Sequence, residues 1–287
     1  MKKEDIIKLL VEKGDPPPFP DIINRVQREV DNPDSDIWVI SQLIASEPIL
    51  AGNLIKMANS VFFGGGREQA NDLNSALLRL GAKMVLDMVY SLAMPGIFPP
   101  PRSFDQKQYW KHSLAVACIA RNIATPSSNR VLLKVMDEVY MAGLSHDIGM
   151  VIFDYLLPEE YGMFIRENYG AEVPLIQLEE KAFGVNHHQL GAAFIKKSWP
   201  MSDKLIAAIL NQDKPQRSPI KPKGLTSVIA IAHKISDHFG MNNGIKMGPV
   251  QALSEEELQA WEMTEDDLNV LEEEIKESVE AVEIMVG

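Results

Sequence analysis

Apolar residues recur at three- and four-residue spacing along nearly the whole chain, and no stretch alternates apolar and polar positions long enough to make a strand. The pattern predicts an all-α fold. Ile37, Ile40, Leu43 and Ile44 share one helical face behind a cap at Ser35 or Asp36. Leu50, Leu54, Met57 and Val61 form a second stripe, with Ser46 as its cap and Pro48 in its first turn. Gly64-Gly65-Gly66 then breaks the chain. A third stripe runs Leu77, Leu80, Met84, Val85, Met88, Val89 and Leu92 to Met94-Pro95-Gly96, and Pro99-Pro100-Pro101 follow. This proline cluster is the best internal boundary.

Beyond it, further helices are expected over about 105–124, 130–146, 158–169, 174–183, 186–198, 202–212 and 225–239, the last ended by Gly240. The segment DKPQRSPIKPKG, 213–224, carries three prolines and four basic residues against one acid, and reads as an exposed loop or lid. The PPPFP lead-in at 16–20 reads as an extended strap that packs Phe19 on the first helices. Three parts result: an N-terminal helical module (1–100), a second helical bundle (101–246) and a C-terminal extension (247–287).

Charge sharpens this division. The 287 residues carry 28 Lys plus Arg and 40 Asp plus Glu, a net of −12, but residues 1–246 are balanced. The whole excess lies in the extension, where 13 acids face the single basic residue Lys276. The body has no basic stripe to neutralise a phosphate backbone, so no nucleic-acid partner is expected. No apolar run approaches 18 residues and the N-terminus lacks a secretory pattern, so no membrane association is expected. One cysteine, Cys118, rules out an internal disulfide framework, and a cytoplasmic setting fits.

In the extension, Ser254 to Glu257 and Thr264 to Asp267 read as capping boxes that set acids at helix N-termini. Leu268, Leu271, Ile275, Val279, Val282 and Met285 then line one stripe. Packing on the chain's own body is the preferred reading. A homodimer through this C-terminal helix is the alternative, with the extension as a docking element whose deletion alters association before folding.

Six histidines offer candidate chemistry. His146-Asp147 sits where a helical stretch is ending, and Gly149 permits a turn there, so that both side chains can reach one point. An imidazole and a carboxylate together suit a borderline divalent ion. His112 lies on an apolar helix, and His233 on another, with Asp237 one turn later on the same face. These groups can converge on a metal or form a satisfied hydrogen-bond network. His187 and His188 are weaker candidates: neighbours on a helix point about 100° apart, so one at most is expected to face a site and the other to be exposed.

The order of these segments resembles the HD superfamily of metal-dependent phosphohydrolases, and more closely its HDOD branch, the HD-related output domain. The resemblance is carried by PPPFPDIINRV, SEPILAGNLIKMANSVFFG, NSALLRLGAKMVLDMVYSLAM, WKHSLAVACIA, AGLSHDIGMVIFDYLLPEEY and FGVNHHQLGAAFIKKSWPMSDKLIAAI, from about Asp15 to Gly240. It implies His112, His146 and Asp147 as metal ligands, with Asp147 the residue to carry catalysis if any occurs, and an aspartate in the last helix. His233 stands there instead. Cyclic-dinucleotide phosphodiesterase relatives would have a lysine where Met150 stands, and paired histidines near Asn211-Gln212.

With one acid retained, the sequence offers little to hold two cations, whereas His112, His146, Asp147 and His233 suffice for one Zn, Mn, Fe or Mg ion. The reading is therefore a non-catalytic signal-transduction or regulatory module, with a degenerate HD-like bundle at 101–246, that binds a signalling protein or small ligand. The alternative is a metal-dependent phosphohydrolase acting on a nucleotide or cyclic nucleotide.

Overall fold

A computed structural model describes residues 3–12, 20–60, 63, 69–125, 136–199, 201–214, 224–245, 247–249 and 252–280. The expectations for the PPPFP strap, the Gly64–Gly66 break, most of the 213–224 loop, and Val282 and Met285 lie outside the described residues. Among those described, every regular element is helical and no strand occurs, as the spacing predicts. The chain resolves into two compact units: Met1–Pro17 with Phe98–Leu268, and Pro18–Ile97 with Asn269–Gly287. They are drawn differently from the three-part division, since the first residues group with the later bundle and the tail with the earlier helices.

The smaller unit contains α2 (Asp21–Asp31), α3 (Ile37–Ala45), α4 (Pro48–Ala58), α5 (Leu73–Leu80) and α6 (Ala82–Ala93). Ile23, Ile40, Ile44, Leu54, Met57 and Leu77 are buried. Asp36 caps α3 by accepting from the Trp38 N–H at 2.9 Å. Ser46 does not cap α4: its hydroxyl turns back to donate to the Leu43 carbonyl, and α4 opens at Pro48, whose missing N–H needs no cap. The long stripe from Leu77 to Leu92 is divided at Gly81, where φ is +80°, a conformation that side-chain-bearing residues rarely adopt.

The larger unit holds α1 (Lys3–Glu12), α7 (Gln106–Ala124), α8 (Met136–Ser145), α9 (Ile148–Leu156), α10 (Pro158–Glu167), α11 (Leu175–Phe183), α12 (His187–Ser198), α13 (Asp203–Asn211), α14 (Leu225–His238) and α15 (Glu255–Ala260). Helix α7 packs on α8 and α14, α9 on α12, and α13 bridges α12 and α14. Helix α9 is not predicted by the spacing: IGMVIFDYL is apolar nearly all round, so it has no clear helical period to read, and it is buried nearly throughout. Its Asp154 carboxylate accepts the Arg102 and Ser103 N–H groups at 2.8–3.1 Å and fixes the chain before α7.

Both capping boxes form. Ser254 and Glu257 exchange hydrogen bonds at α15, and Thr264 and Asp267 do so at α16 (Glu265–Val279). The apolar stripe of α16 is already covered, with Leu268, Leu271, Ile275 and Val279 all buried. This changes the expectation for deletion. Removing residues 265–287 forfeits those four burials, about 1.5–3 kcal/mol each, so a marked fall in melting temperature is expected. An unchanged melting temperature with an altered oligomeric state by light scattering would restore the docking reading.

Candidate metal centre

The larger unit brings six polar side chains together, five imidazoles around one carboxylate. Helix α7, capped by Asp105 accepting from the Gln108 N–H, buries His112 two turns in. Helix α8 stops at Ser145 and α9 restarts at Ile148, so His146 and Asp147 occupy the turn between them, both buried. The expected role of Gly149 as a turn residue is corrected. It lies within α9, and its bare Cα admits α12: a Cβ there would stand 1.8 Å from the His187 carbonyl oxygen. Gly143 does the same for α7, where a Cβ would meet the Ala117 Cα at 2.6 Å.

Tautomers follow from the partners. His112 Nδ1 lies 2.7 Å from the Met241 carbonyl and His146 Nδ1 2.7 Å from the Gly143 carbonyl. A carbonyl only accepts, so both Nδ1 atoms carry the hydrogen and both Nε2 atoms present lone pairs when the rings are neutral. Those two Nε2 atoms stand 3.1 Å apart. Facing lone pairs in a buried site repel unless a proton or cation lies between them. The separation also suits two nitrogens sharing one cation at about 2.1 Å each, which places them about 3.0–3.4 Å apart. His233 completes this group, its ring 4.9 Å from that of His112 and 5.1 Å from that of His146. It is the most open of the six, with its side chain 32% exposed and Asp237 Oδ2 3.7 Å from its Nε2.

Asp147 turns one oxygen to each side. Oδ2 lies 3.4 Å from His146 Nε2 and 3.8 Å from His112 Nε2, and accepts from the Asn243 amide at 3.1 Å. Oδ1 is buried without a hydrogen-bond partner. It faces His187 Nε2 at 3.5 Å and His188 Nε2 at 4.0 Å, so Asp147, His187 and His188 form a second group of metal-ligating geometry.

The expectation that one histidine of this pair is exposed is therefore corrected: both are buried. They occupy the first two positions of α12, behind the Asn186 cap, and their directions diverge around Oδ1 rather than away from it. The expectation that one acid offers little to hold two cations also changes, because that acid is shared between two sets of nitrogens.

Electrostatics reflect the crowding. Burial, reinforced by the His146 imidazole, pushes His112 down to about 4. Partial burial and then the His112 imidazole take His233 well below the usual histidine range. Burial works against the charged forms of Asp147 and His187 but is outweighed. His146 and His187 hold Asp147 well below the carboxylate range, while Glu179 and Asp147 raise His187 to about 10. Asp237 is pushed up to about 6 by burial and by Asp147. An orphaned buried carboxylate oxygen, opposed imidazole lone pairs and a mixed N/O donor set together fit a divalent ion such as zinc, manganese or iron.

Three contributors were absent from the expected set. Glu179 binds His187 from behind, Asn243 contacts Asp147, and Asp213 lies 3.7 Å from His188 Nδ1. Glu179 left a signal, since it shares the inward face of α11 with Leu175 and Phe183 and so puts an acid where an apolar residue belongs. Asn243, in an irregular segment, left none. Gln212 donates to the His146 carbonyl at 2.9 Å, supporting the turn rather than supplying a ligand.

Comparison with known proteins matches the HDOD domain family to residues 17–215. The chain belongs to the HDOD family. An HDOD domain protein of unknown function from Geobacter sulfurreducens is 23% identical, with a TM-score of 0.76 over 98% of both chains. A protein from Shewanella amazonensis SB2B, whose name assigns it provisionally to the phosphohydrolases, is 20% identical, with a TM-score of 0.71 over 98% of this chain and 97% of its own. At these identities the likeness establishes the fold. An uncharacterized protein of Treponema pallidum (strain Nichols) is 25% identical over 219 residues, which span 76% of this chain and 42% of that relative. No helix among the described residues of this HDOD protein is long and apolar enough to cross a membrane.

Proposed function

We propose that this HDOD protein is a non-catalytic regulatory module of the cytoplasm. Its Asp147-centred cluster holds divalent metal, and it acts in signalling by binding a partner protein or small ligand. The observation that carries this reading is the burial of the cluster. His112, His146, Asp147, His187 and His188 are all nearly inaccessible, and Asn243 stands on Asp147 with the buried Met150 thioether beside it. Among the described residues the carboxylate itself is covered and the cluster is open only at its His233 edge, an arrangement that would enclose a resident ion more readily than it would admit a phosphodiester. His112, His146 and His233 with Asp147 Oδ2 would hold one cation. His187 and His188 with Oδ1 would hold a second.

A second reading, a metal-dependent phosphohydrolase acting on a nucleotide or cyclic nucleotide, is favoured by that second group, because two adjacent cations are the usual equipment for such displacements. A bound metal would supply an acidified water there. The chain's own part would be to orient it through Asp147 and to exclude bulk solvent through Asn243 and Met150. The two readings separate in an assay of the purified protein on a generic phosphodiester and on cyclic dinucleotides with manganese, magnesium, zinc or iron. Bound metal without turnover is expected. Turnover that disappears in His146→Ala and Asp147→Ala would establish the hydrolase instead.

A further inference from the structure

We infer that Glu179, backed by Tyr161, is a positioning residue for His187 and sets the cation affinity of the group formed by Asp147, His187 and His188. The inference rests on the metal-holding reading above. Glu179 is fully buried, a position at which a carboxylate is costly unless its oxygens are hydrogen-bonded. Here one oxygen holds His187 and the other is braced by Tyr161. Oε2 accepts the backbone N–H of His187 at 2.8 Å and its ring Nδ1–H at 2.6 Å, while Oε1 accepts the Tyr161 hydroxyl at 2.8 Å. Tyr161 is itself immobilised, stacked on Phe153 with ring centroids 4.9 Å apart and planes at 9°.

Capping α12 does not by itself account for this carboxylate: Asn186 takes the Gln189 N–H and Glu179 the His187 N–H, but satisfying that N–H requires no bond to the ring. An ionised carboxylate only accepts, so the hydrogen sits on His187 Nδ1 and Nε2 is turned toward Asp147 Oδ1, 3.5 Å away.

The two halves of the centre differ in this respect. Backbone carbonyls orient His112 and His146, so fixing a tautomer requires no charge. Glu179 fixes the tautomer and also places a negative charge one ring removed from the second cation position. The two groups together offer five imidazoles and a single carboxylate in direct reach, so anions behind the rings are what would offset a second divalent charge. A carboxylate behind a ligating histidine raises its basicity, and loss of such a partner typically costs 10–100-fold in metal affinity.

The test uses the full chain, stripped with a chelator and titrated with zinc or manganese. Glu179→Gln keeps an acceptor for His187 and can donate its amide to the Tyr161 oxygen, so the fold should survive. The expected result is one ion bound as in the wild type and a second bound about 10–100-fold more weakly, with a smaller loss at the same position in Tyr161→Phe. A cobalt-loaded sample should show the altered second environment in its absorption spectrum. Two outcomes would overturn the inference alone: Glu179→Gln binding both ions at wild-type affinity, or weakening both equally with a matching fall in melting temperature. A wild type that takes up no second ion would overturn it together with the two-position reading.

Discussion

Gly149→Ala should dismantle half of the metal centre while leaving the other half standing. The added methyl would lie 1.8 Å from the His187 carbonyl oxygen and 2.9 Å from the Gly191 nitrogen. These are backbone atoms at the start and first turn of α12, not ends of flexible side chains, so the helix itself must move. Overpacking of this kind costs about 1–3 kcal/mol or more. The displaced element carries His187 and His188, whereas His112 and His146 depend on the α7–α8 contact, which passes through Gly143 and Ala117. Calorimetry should therefore report a lower melting temperature and loss of the second ion with retention of the first. Gly143→Ala should strike the other half. Equal loss of both ions in each variant would mean that the two groups are not separable.

Asp147→Ala should have the largest effect on metal, because both groups meet at this side chain. Each of its oxygens faces a different pair of imidazoles, so no other single substitution touches both positions directly. Loss of a supporting residue alone costs about 10–100-fold in affinity, and removal of the shared ligand should exceed that at both positions. The metal-free protein should suffer as well. His187 lies between Glu179 and Asp147, so the variant leaves this buried imidazole with one carboxylate neighbour instead of two, and a lower melting temperature is expected. A variant that still binds two ions would show that Asp147 is a bystander in a hydrogen-bond network.

Much of this architecture is legible from residue spacing. Among the described residues, the helices from α7 onward that carry a regular apolar face fall close to their expected limits, the start expected near 130 lying outside the described residues, and the capping boxes at Ser254 and Thr264 form as their sequences imply. What escapes is what spacing does not encode. Helix α9 is apolar nearly all round and therefore has no clear period, and Gly81 interrupts a stripe whose apolar register continues past it. The four expected ligands are brought together because α7 packs on both α8 and α14, which sets His112 and His233 against the turn that carries His146 and Asp147. The pair His187-His188 is underrated by a rule for helix interiors applied at a helix start, where two successive side chains straddle one carboxylate oxygen. Glu179 is visible in principle, as an acid in an apolar register. Asn243 depends on the path of an irregular segment after Gly240, which no periodicity describes.

The acidic tail is a similar case. Its charge is consistent with an exposed docking element, but the stripe beneath that charge is buried within the chain. Six of its 13 acids lie in the first turns of α15 and α16, where Glu257 and Asp267 close their capping boxes.

The central claim is that the cluster around Asp147 is a metal centre and not merely a network of hydrogen bonds. Elemental analysis of the wild-type protein, purified without added metal and again after incubation with zinc, manganese, iron or magnesium and removal of the excess, tests it most directly. Retention of at least one equivalent of divalent metal per chain, absent from Asp147→Ala treated in parallel, is the predicted result. A wild-type chain that retains no metal under either condition would contradict the account and leave the facing imidazoles of His112 and His146 to be bridged by a proton alone.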